Sequence, residues 1–414
     1  MRPIRFLAPD TDAYVDSVLR HKDEFKARTG RGIEPQIISS DEYFSNAIGR
    51  YLRADDPPDV FMSGPVLLWQ HIGDGLVEPL DRYAASSDSI SLDDFFESLI
   101  SSNRWTGRFG DRLGTGQLWE LPVNCEAYNL VYVPEILNRF GLVPPKTWAE
   151  YFRTARAVAE ASGGSIKGFA QRGAQAWHTM YTGYASQFWA YGAVDFDDNG
   201  CCAIASPQGI AATTDFIEAL RDAGPRDWLN QRWYELAMDV CAGEYGLIVD
   251  SDHYVAFYEA AASKMRGRVA YAETLLGPDG QRMSNMWTWS LAMNAQSTDK
   301  SAAWQFIEWA GSRSFLLRSA FEGNMNPTRR SVWDDASFID FTKSWGRFYE
   351  VARGLIEHDA KVLVTPCPHY IELANRWVEA IREAYSGAAS VQTALQRLRP
   401  TSTLWYQNVN CVVD

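Results

Sequence analysis

Residues 4–80 alternate between short apolar segments and amphipathic ones, and this alternation limits the folds open to the chain. An apolar strand over residues 4–7 precedes a helix with an apolar stripe and a stop at Gly30, and further apolar strands follow at 35–38 and 60–62. Strands separated by helices pair in parallel, because a helical crossover brings the next strand alongside in the same direction. A chain of 414 residues is too long for one ordinary core. The sequence therefore predicts an α/β fold of two lobes, each a central β-sheet flanked by helices.

Charge and composition weigh against several classes of protein. The formal net charge is −13 without any basic run, whereas nucleic acids and anionic membranes attract clustered Lys and Arg. We therefore expect no nucleic-acid partner and a freely diffusing monomer. The six cysteines show no CxxC motif and no metal-ligand spacing with the six histidines, so we predict neither a metal nor a cofactor. Most of the sixteen tryptophans should belong to the core, which leaves two or three to stack on a sugar ring.

Four segments, taken in order, carry a resemblance to a known family. They are DDPPDVFMSGPVLLWQHIGDGLVEPLDRY, LWELPVNCEAYNLVYVPEILNRFGLVPPKTWAEYF, AMDVCAGEYGLIVDSDHYV and NMWTWSLAMNAQSTDKSAAWQFIEWAGS. With these segments the chain resembles the extracellular solute-binding proteins of bacterial ABC importers, in the carbohydrate-binding family of maltose-binding-protein type (family 1). The chain departs from the family pattern at Asn285-Met286, where two glycines are usual before Trp287, and at Cys125.

The resemblance implies a periplasmic-binding-protein fold that closes by hinge motion over a ligand in the interlobe cleft. We expect residues 1–118 plus 267–325 to form lobe I and residues 119–266 plus 326–414 to form lobe II, with hinge crossings near 118, 267 and 325. The function implied is capture of a sugar, glycoside or polyol and its delivery to a cognate ABC permease. The location implied is the periplasm. Because Met1 is followed almost directly by the first strand, without a long apolar segment, we expect the export signal to be absent from this sequence.

Polar residues follow the first three strands, where an α/β sheet places its ligands. Asp10 and Thr11 follow the first strand, Ser40 follows the second and Ser63 ends the third. The resemblance places the family's first polar ligand contact at Asp10 and Thr11. A helix N-cap is the alternative role for these two residues.

The resemblance also indicates ligand-binding residues further along the chain. They are Asn124 and Glu126 at the end of a strand, Trp177 and His178, Asp250 after a buried strand, Trp287 and Trp289 on one strand face, and Asn324 and Arg329 on a returning segment. Trp177 and Trp287 match the positions from which the family supplies stacking rings. The alternatives are a core tryptophan at Trp177 and a surface salt bridge at Arg329.

An enzyme is the alternative function. A glycoside hydrolase or lyase needs paired carboxylates, and Glu126 and Asp250 could supply them. The sequence contains no GxSxG, HExxH or Walker P-loop motif, and GTGQLW at Gly114 lacks the third glycine of GxGxxG. We therefore predict a binding protein that catalyses no reaction.

Overall fold

The structure is a computed structural model that describes residues 2–10, 12–174 and 176–398, apart from the side chains of residues 46, 47 and 179–182. Thr11, one of the expected site residues, lies outside the described residues. The strands are β1 Ile4–Pro9, β2 Ile33–Ile38, β3 Val60–Ser63, β4 Val77–Glu78, β5 Arg104–Trp105, β6 Gln117–Leu118, β7 Glu120–Tyr132, β8 Leu247–Ser251, β9 Ala270–Ala272, β10 Ser284–Asn294 and β11 Ala360–Lys361. The helices are α1 Ala13–Thr29, α2 Ser40–Glu42, α3 Ile48–Leu52, α4 Pro65–Gly73, α5 Asp81–Ala84, α6 Glu97–Ser102, α7 Pro134–Arg139, α8 Trp148–Ala161, α9 Trp177–Ala190, α10 Pro207–Ala223, α11 Trp233–Ala242, α12 Val255–Tyr258, α13 Lys300–Ala310, α14 Arg313–Phe321, α15 Arg330–Trp333, α16 Ala336–Thr342, α17 Phe348–Gly354, α18 Tyr370–Ser386 and α19 Val391–Gln396.

The chain divides into two compact units. Unit 1 comprises residues 1–126, 287–341 and 366–368, and unit 2 comprises residues 127–286, 342–365 and the chain from His369 onward. The chain therefore passes between units within β7, within β10, near the end of α16 and on either side of residues 366–368. The hinge crossings near 118, 267 and 325 were predicted for a closing motion of the two lobes, and they stay predictions.

Unit 1 contains the parallel strands that the sequence predicts. β1 pairs in parallel with both β2 and β3, and helix α1 connects β1 to β2. Helix α1 forms because Asp12 caps its first turn, accepting hydrogen bonds from the backbone N–H groups of Tyr14 and Val15. It ends at Gly30, whose φ of 72° is the left-handed conformation that glycine adopts without steric cost. The predicted strand, helix and stop are confirmed.

Strand β10 adds an antiparallel neighbour to this parallel arrangement. Ser290 of β10 pairs with Ser63 of β3, and Met293 pairs with Val60. The end of β10 also pairs with β4. Residues far apart in sequence thus form one sheet in unit 1. In this sheet, the end of β3 lies beside the first residues of β10 that belong to unit 1.

Unit 2 is built around the second half of β7, which pairs antiparallel with β8 and β9. Helix α8 begins with a capping box, in which the Thr147 side chain accepts from the Glu150 N–H and the Glu150 carboxylate accepts from the Thr147 N–H. Ser206 caps α10, its side chain accepting from the Gly209 N–H. The prediction that most tryptophans are core residues is confirmed for those that are fully buried, namely Trp69, Trp105, Trp148, Trp177, Trp228, Trp333 and Trp377.

No helix among the described residues is long and apolar enough to cross a membrane.

Candidate functional site

An aromatic cluster in unit 1 lies beside the end of β3. We use this name for Tyr43 and Phe44, which follow α2, together with Trp287 and Trp289 of β10. The two indoles lie 5.7 Å apart at 75°, and Phe44 lies 5.7 Å from Trp289 and 6.3 Å from Trp287. Trp287 meets Trp289 and Phe44 edge to face, an arrangement that aromatic quadrupoles prefer, whereas Phe44 lies tilted against Trp289 at 56°. Trp287 is 6% exposed, whereas Phe44 and Trp289 are half-buried and keep part of their rings accessible.

The sequence explains why the two tryptophans meet these partners. Residues 287 and 289 project from the same face of β10, because side chains alternate along a strand. The indole of Trp287 lies directly over Gly64, where any Cβ atom would collide with the ring. Gly64 follows β3 and precedes α4, so only glycine there lets the strand end and the indole approach each other.

Glu126 lies beside this cluster. Its Oε1 accepts a hydrogen bond of 3.4 Å from Nε1 of Trp289, and the side chain is half-buried. The predicted residues Glu126, Trp287 and Trp289 are therefore brought together in unit 1. A carboxylate next to a partly exposed ring offers what a hydroxylated solute needs, namely an acceptor for hydroxyl groups and an apolar surface for C–H groups.

Asp10 and Ser40 contact each other at the ends of β1 and β2. Oδ1 of Asp10 accepts from both the backbone N–H and the hydroxyl of Ser40, each at 2.8 Å. The alternative role of helix N-cap belongs instead to Asp12. The structure thus uses the Asp10 carboxylate to join two strand ends, and both residues remain partly exposed.

Asn124 and Asn324 form a buried amide pair. Nδ2 of Asn124 donates to Oδ1 of Asn324, and Nδ2 of Asn324 donates to Ser319 Oγ at 3.0 Å. Asn326 lies close by, with a left-handed φ of 59°, and its Nδ2 donates to the Cys125 carbonyl at 3.2 Å. These asparagines hold the segment of β7 that carries Glu126.

Arg329 is engaged by the protein. Its Nε donates to the Gly311 carbonyl at 3.0 Å, its Nη1 lies 3.1 Å from Asp94, and its guanidinium lies 4.4 Å from the centre of the Phe95 ring. The side chain is 3% exposed. The ion pair expected as the alternative is therefore present, but it is buried and not on the surface.

A buried polar group at the end of β3 includes a residue that the sequence analysis missed. Ser63, Glu120 and Thr288 are fully buried, and within the described residues neither their hydroxyls nor the Glu120 carboxyl makes a hydrogen bond. Burial raises the pKa of Glu120 to about 8, and the nearby Ser63 hydroxyl opposes that rise. In the sequence, Glu120 is a carboxylate among apolar neighbours, as Glu126 is, so the same pattern could have indicated Glu120.

In unit 2, the predicted residue Asp250 forms a buried ion pair with Arg172. Arg172 is the second residue that the sequence analysis missed. Nη2 and Nε of Arg172 lie 2.7 Å and 3.1 Å from Oδ1 of Asp250. Trp228 holds the backbone on both sides of Arg172. The Trp228 Nε1 donates to the Gln171 carbonyl, and the Trp228 carbonyl lies so close to Gly173 that any Cβ there would collide with it. The only sequence signal was a single arginine in an apolar stretch.

Trp177 and His178 begin α9. Trp177 is 1% exposed, and its ring lies 5.7 Å from that of His178 at 77°. Burial, together with the positive charges of Arg172 and Arg232, lowers the pKa of His178 to about 3. His178 is therefore neutral at neutral pH. Stacking of Trp177 on a ligand stays a prediction.

Across the described residues, no group of three or more His, Cys, Asp or Glu side chains could hold a metal ion.

Comparisons with known proteins identify the family. The family model of bacterial extracellular solute-binding proteins matches residues 10–314. The erythritol/L-threitol-binding protein of Mycolicibacterium smegmatis is 28% identical over 393 residues, which cover 92% of this chain and 81% of that protein. Maltose-bound MalE3 of T. maritima has a TM-score of 0.83 at 19% identity and covers 98% of this chain and 100% of its own. A mannitol-bound solute-binding protein of an ABC transporter from Agrobacterium vitis S4 has a TM-score of 0.83 at 18% identity and covers 98% of each chain.

The chain belongs to the bacterial extracellular solute-binding protein family. The predicted α/β fold of the two-lobed periplasmic-binding-protein class is confirmed by these structural likenesses. The predicted function as a solute receptor of an ABC importer is confirmed as well. The family places the protein outside the cytoplasm, in the periplasm or at the cell exterior.

Proposed function

We propose that this protein captures a neutral polyol or small sugar in the periplasm, as a monomer, and delivers it unchanged to a cognate ABC permease. The observation that carries the proposal is the contact of Glu126 with the aromatic cluster in unit 1. A half-buried carboxylate and two partly exposed rings suit a solute that offers both hydroxyl and C–H groups.

The small accessible ring area favours an acyclic polyol over a long oligosaccharide. Of the cluster, only Phe44 and Trp289 are more than marginally exposed, and these two rings pack against each other at 56°. The relative from M. smegmatis binds erythritol and L-threitol, and the protein from A. vitis holds D-mannitol. These names support a polyol as the class of solute for this chain.

Several contacts support binding without catalysis. The catalytic alternative needs Glu126 and Asp250 as an acid and a nucleophile or base. Asp250 is already engaged by Arg172 and by the Ser251 N–H at 2.7 Å, and its side chain is 1% exposed. A carboxylate held in this way is poorly placed to donate or accept a proton during a reaction.

Thermal-shift measurements on the purified protein test the proposal. Erythritol, ribitol, mannitol and maltose are compared, since a ligand that binds only the folded state raises the melting temperature. We expect a dose-dependent rise of several degrees with at least one polyol. A hydrolysis assay on aryl glycosides runs beside it, and release of the aryl group by the protein would contradict the proposal.

Replacing Trp289 by Leu should weaken polyol binding roughly tenfold, because the solute loses the more exposed indole of the cluster. Trp304→Leu is the matched control, because Trp304 stacks on Tyr83 at 5.6 Å elsewhere in unit 1. Isothermal titration calorimetry measures both variants after circular dichroism has confirmed their fold. Equal affinities for the two variants would mean that Trp289 does not contact the solute.

A further inference from the structure

The ring of Phe44 packs against both indoles of the aromatic cluster in unit 1. Its centre lies 5.7 Å from that of Trp289 and 6.3 Å from that of Trp287. Rings whose centres lie within about 7 Å of each other are in direct contact, so no sugar ring fits between Phe44 and either indole. The ring centres of Tyr43 and Trp287 lie 6.4 Å and 5.7 Å from that of Trp289. Three aromatic side chains therefore border the partly exposed indole of Trp289.

The backbone around Phe44 holds this ring in place. Phe44 belongs to a π-helical turn, Tyr43–Ala47, which joins α2 to α3. A π turn is wider than an α turn, because its hydrogen bonds join residues i and i+5, and such turns are frequent at functional sites. Tyr43 anchors the turn, since its side chain is fully buried and its hydroxyl donates to the Met62 carbonyl of β3. Two consecutive rings of one anchored turn thus contact Trp289.

The remaining ring area limits which solutes can lie on the cluster. A pyranose stacks by laying the C–H groups of one face flat on an aromatic ring, and this attraction is summed over many atom contacts, so it needs a broad uncovered surface. Trp287 is 6% exposed, and Phe44 occupies part of the surroundings of Trp289. An acyclic polyol is narrower and rotates about its C–C bonds, so it can follow the part of Trp289 that stays accessible.

We propose that Phe44 determines the specificity of the site, by leaving enough of Trp289 accessible for an acyclic polyol and too little for a stacked sugar ring. This inference rests on the proposed function and names the side chain that limits its class of solute. Removing the Phe44 ring enlarges the accessible part of Trp289. It does not remove the hydrogen bond from Trp289 to Glu126, which Phe44 does not make, so the acceptor for solute hydroxyls is kept.

Calorimetry with two neutral six-carbon probes tests the inference. The probes are mannitol, which is acyclic, and methyl α-glucopyranoside, whose sugar ring cannot open. We expect the wild type to bind mannitol at least about tenfold more tightly. Phe44→Ala should raise the glucopyranoside-to-mannitol affinity ratio by about tenfold or more, because the sugar ring can then stack on Trp289. Phe44→Tyr keeps an aromatic ring of the same size, so it should keep the wild-type ratio.

Phe321→Ala is the matched control. Phe321 is a partly exposed phenylalanine of α14 in unit 1, and its ring lies 5.1 Å from that of Phe341. Its replacement should leave the affinity ratio unchanged. Circular dichroism checks that each variant is folded, and Phe44→Leu, which also removes the ring, replaces Phe44→Ala where alanine prevents folding. An unchanged ratio in the folded variant would overturn the inference, as would an equal shift in Phe321→Ala.

The wild type separates a failure of this inference from a failure of the proposed function. Wild-type affinity for methyl α-glucopyranoside equal to or above that for mannitol would overturn the inference, while the protein would still be a receptor for a small neutral sugar. Absence of binding to both probes and to erythritol, ribitol and maltose would instead overturn the proposed function, and the inference with it.

Discussion

At the scale of single residues, the carboxyl of Glu120 has the most unusual environment in unit 1. It is fully buried, it makes no hydrogen bond within the described chain, and burial raises its pKa to about 8. An unfolded chain ionises a glutamate near the ordinary value of 4.5, whereas the folded protein keeps Glu120 protonated until about pH 8. The unfolded state therefore binds fewer protons between these values, and the free energy of unfolding falls as pH rises through this window.

Replacing Glu120 by Gln should remove this pH-dependent loss. A neutral amide of nearly the same shape does not ionise in the unfolded state, so the variant should gain stability relative to wild type on the order of 2 kcal/mol at pH 7 and much less at pH 5. Urea unfolding at pH 5, 7 and 8.5 measures the difference. Glu97→Gln, the same change on an exposed helical residue, is the control. A difference between wild type and Glu120→Gln that does not vary with pH would contradict this account.

At the residue scale, the sequence indicated three side chains that the structure brings together, although they lie within β7 and β10 and not at the ends of these strands. Glu126, Trp287 and Trp289 were predicted as site residues, and the structure joins them through ring contacts and the Trp289–Glu126 hydrogen bond. Arg172 could not be predicted in the same way, because its partner Asp250 lies 78 residues further along the chain. Pairing over such a distance leaves no local pattern in the sequence.

At the scale of elements, local signals predicted helix ends better than strand partners. Gly30 and the Thr147–Glu150 capping box act through hydrogen bonds to neighbouring residues, so they are readable in the sequence. The antiparallel pairing of β10 with β3 depends on residues more than two hundred positions apart, such as Ser290 and Ser63. The alternation of strands and helices therefore predicted the parallel strands but not this antiparallel neighbour.

The segment that follows α14 binds β7 through the side-chain amides of Asn324 and Asn326. Asn326 also has a left-handed backbone conformation. Asn326→Ala loses the hydrogen bond to the Cys125 carbonyl and places a Cβ-bearing residue without a compensating side-chain hydrogen bond at a φ of 59°. Asn326→Gly loses the same side-chain hydrogen bond but avoids the strain, because glycine adopts this conformation freely. We expect urea unfolding to show that Ala destabilises by about 1 kcal/mol more than Gly. Equal losses would mean that the left-handed backbone contributes no strain.

At the scale of the whole molecule, the sequence predicts two α/β units and the family that goes with them. The family model matches residues 10–314, and the net charge of −13 suits a protein that diffuses freely in solution. The identity of the solute was not predictable to the same depth. It depends on which side chains from distant segments meet, as Glu126 and Trp289 do.

Direct titration of the purified protein with solutes tests the central claim that it binds a neutral polyol unchanged. Isothermal titration calorimetry with erythritol, ribitol and mannitol, followed by mass spectrometry of the recovered solute, measures affinity, stoichiometry and chemical fate together. The account predicts saturable one-to-one binding of at least one polyol and recovery of that polyol intact. Absence of heat with every polyol, or conversion of the solute into another compound, would contradict it.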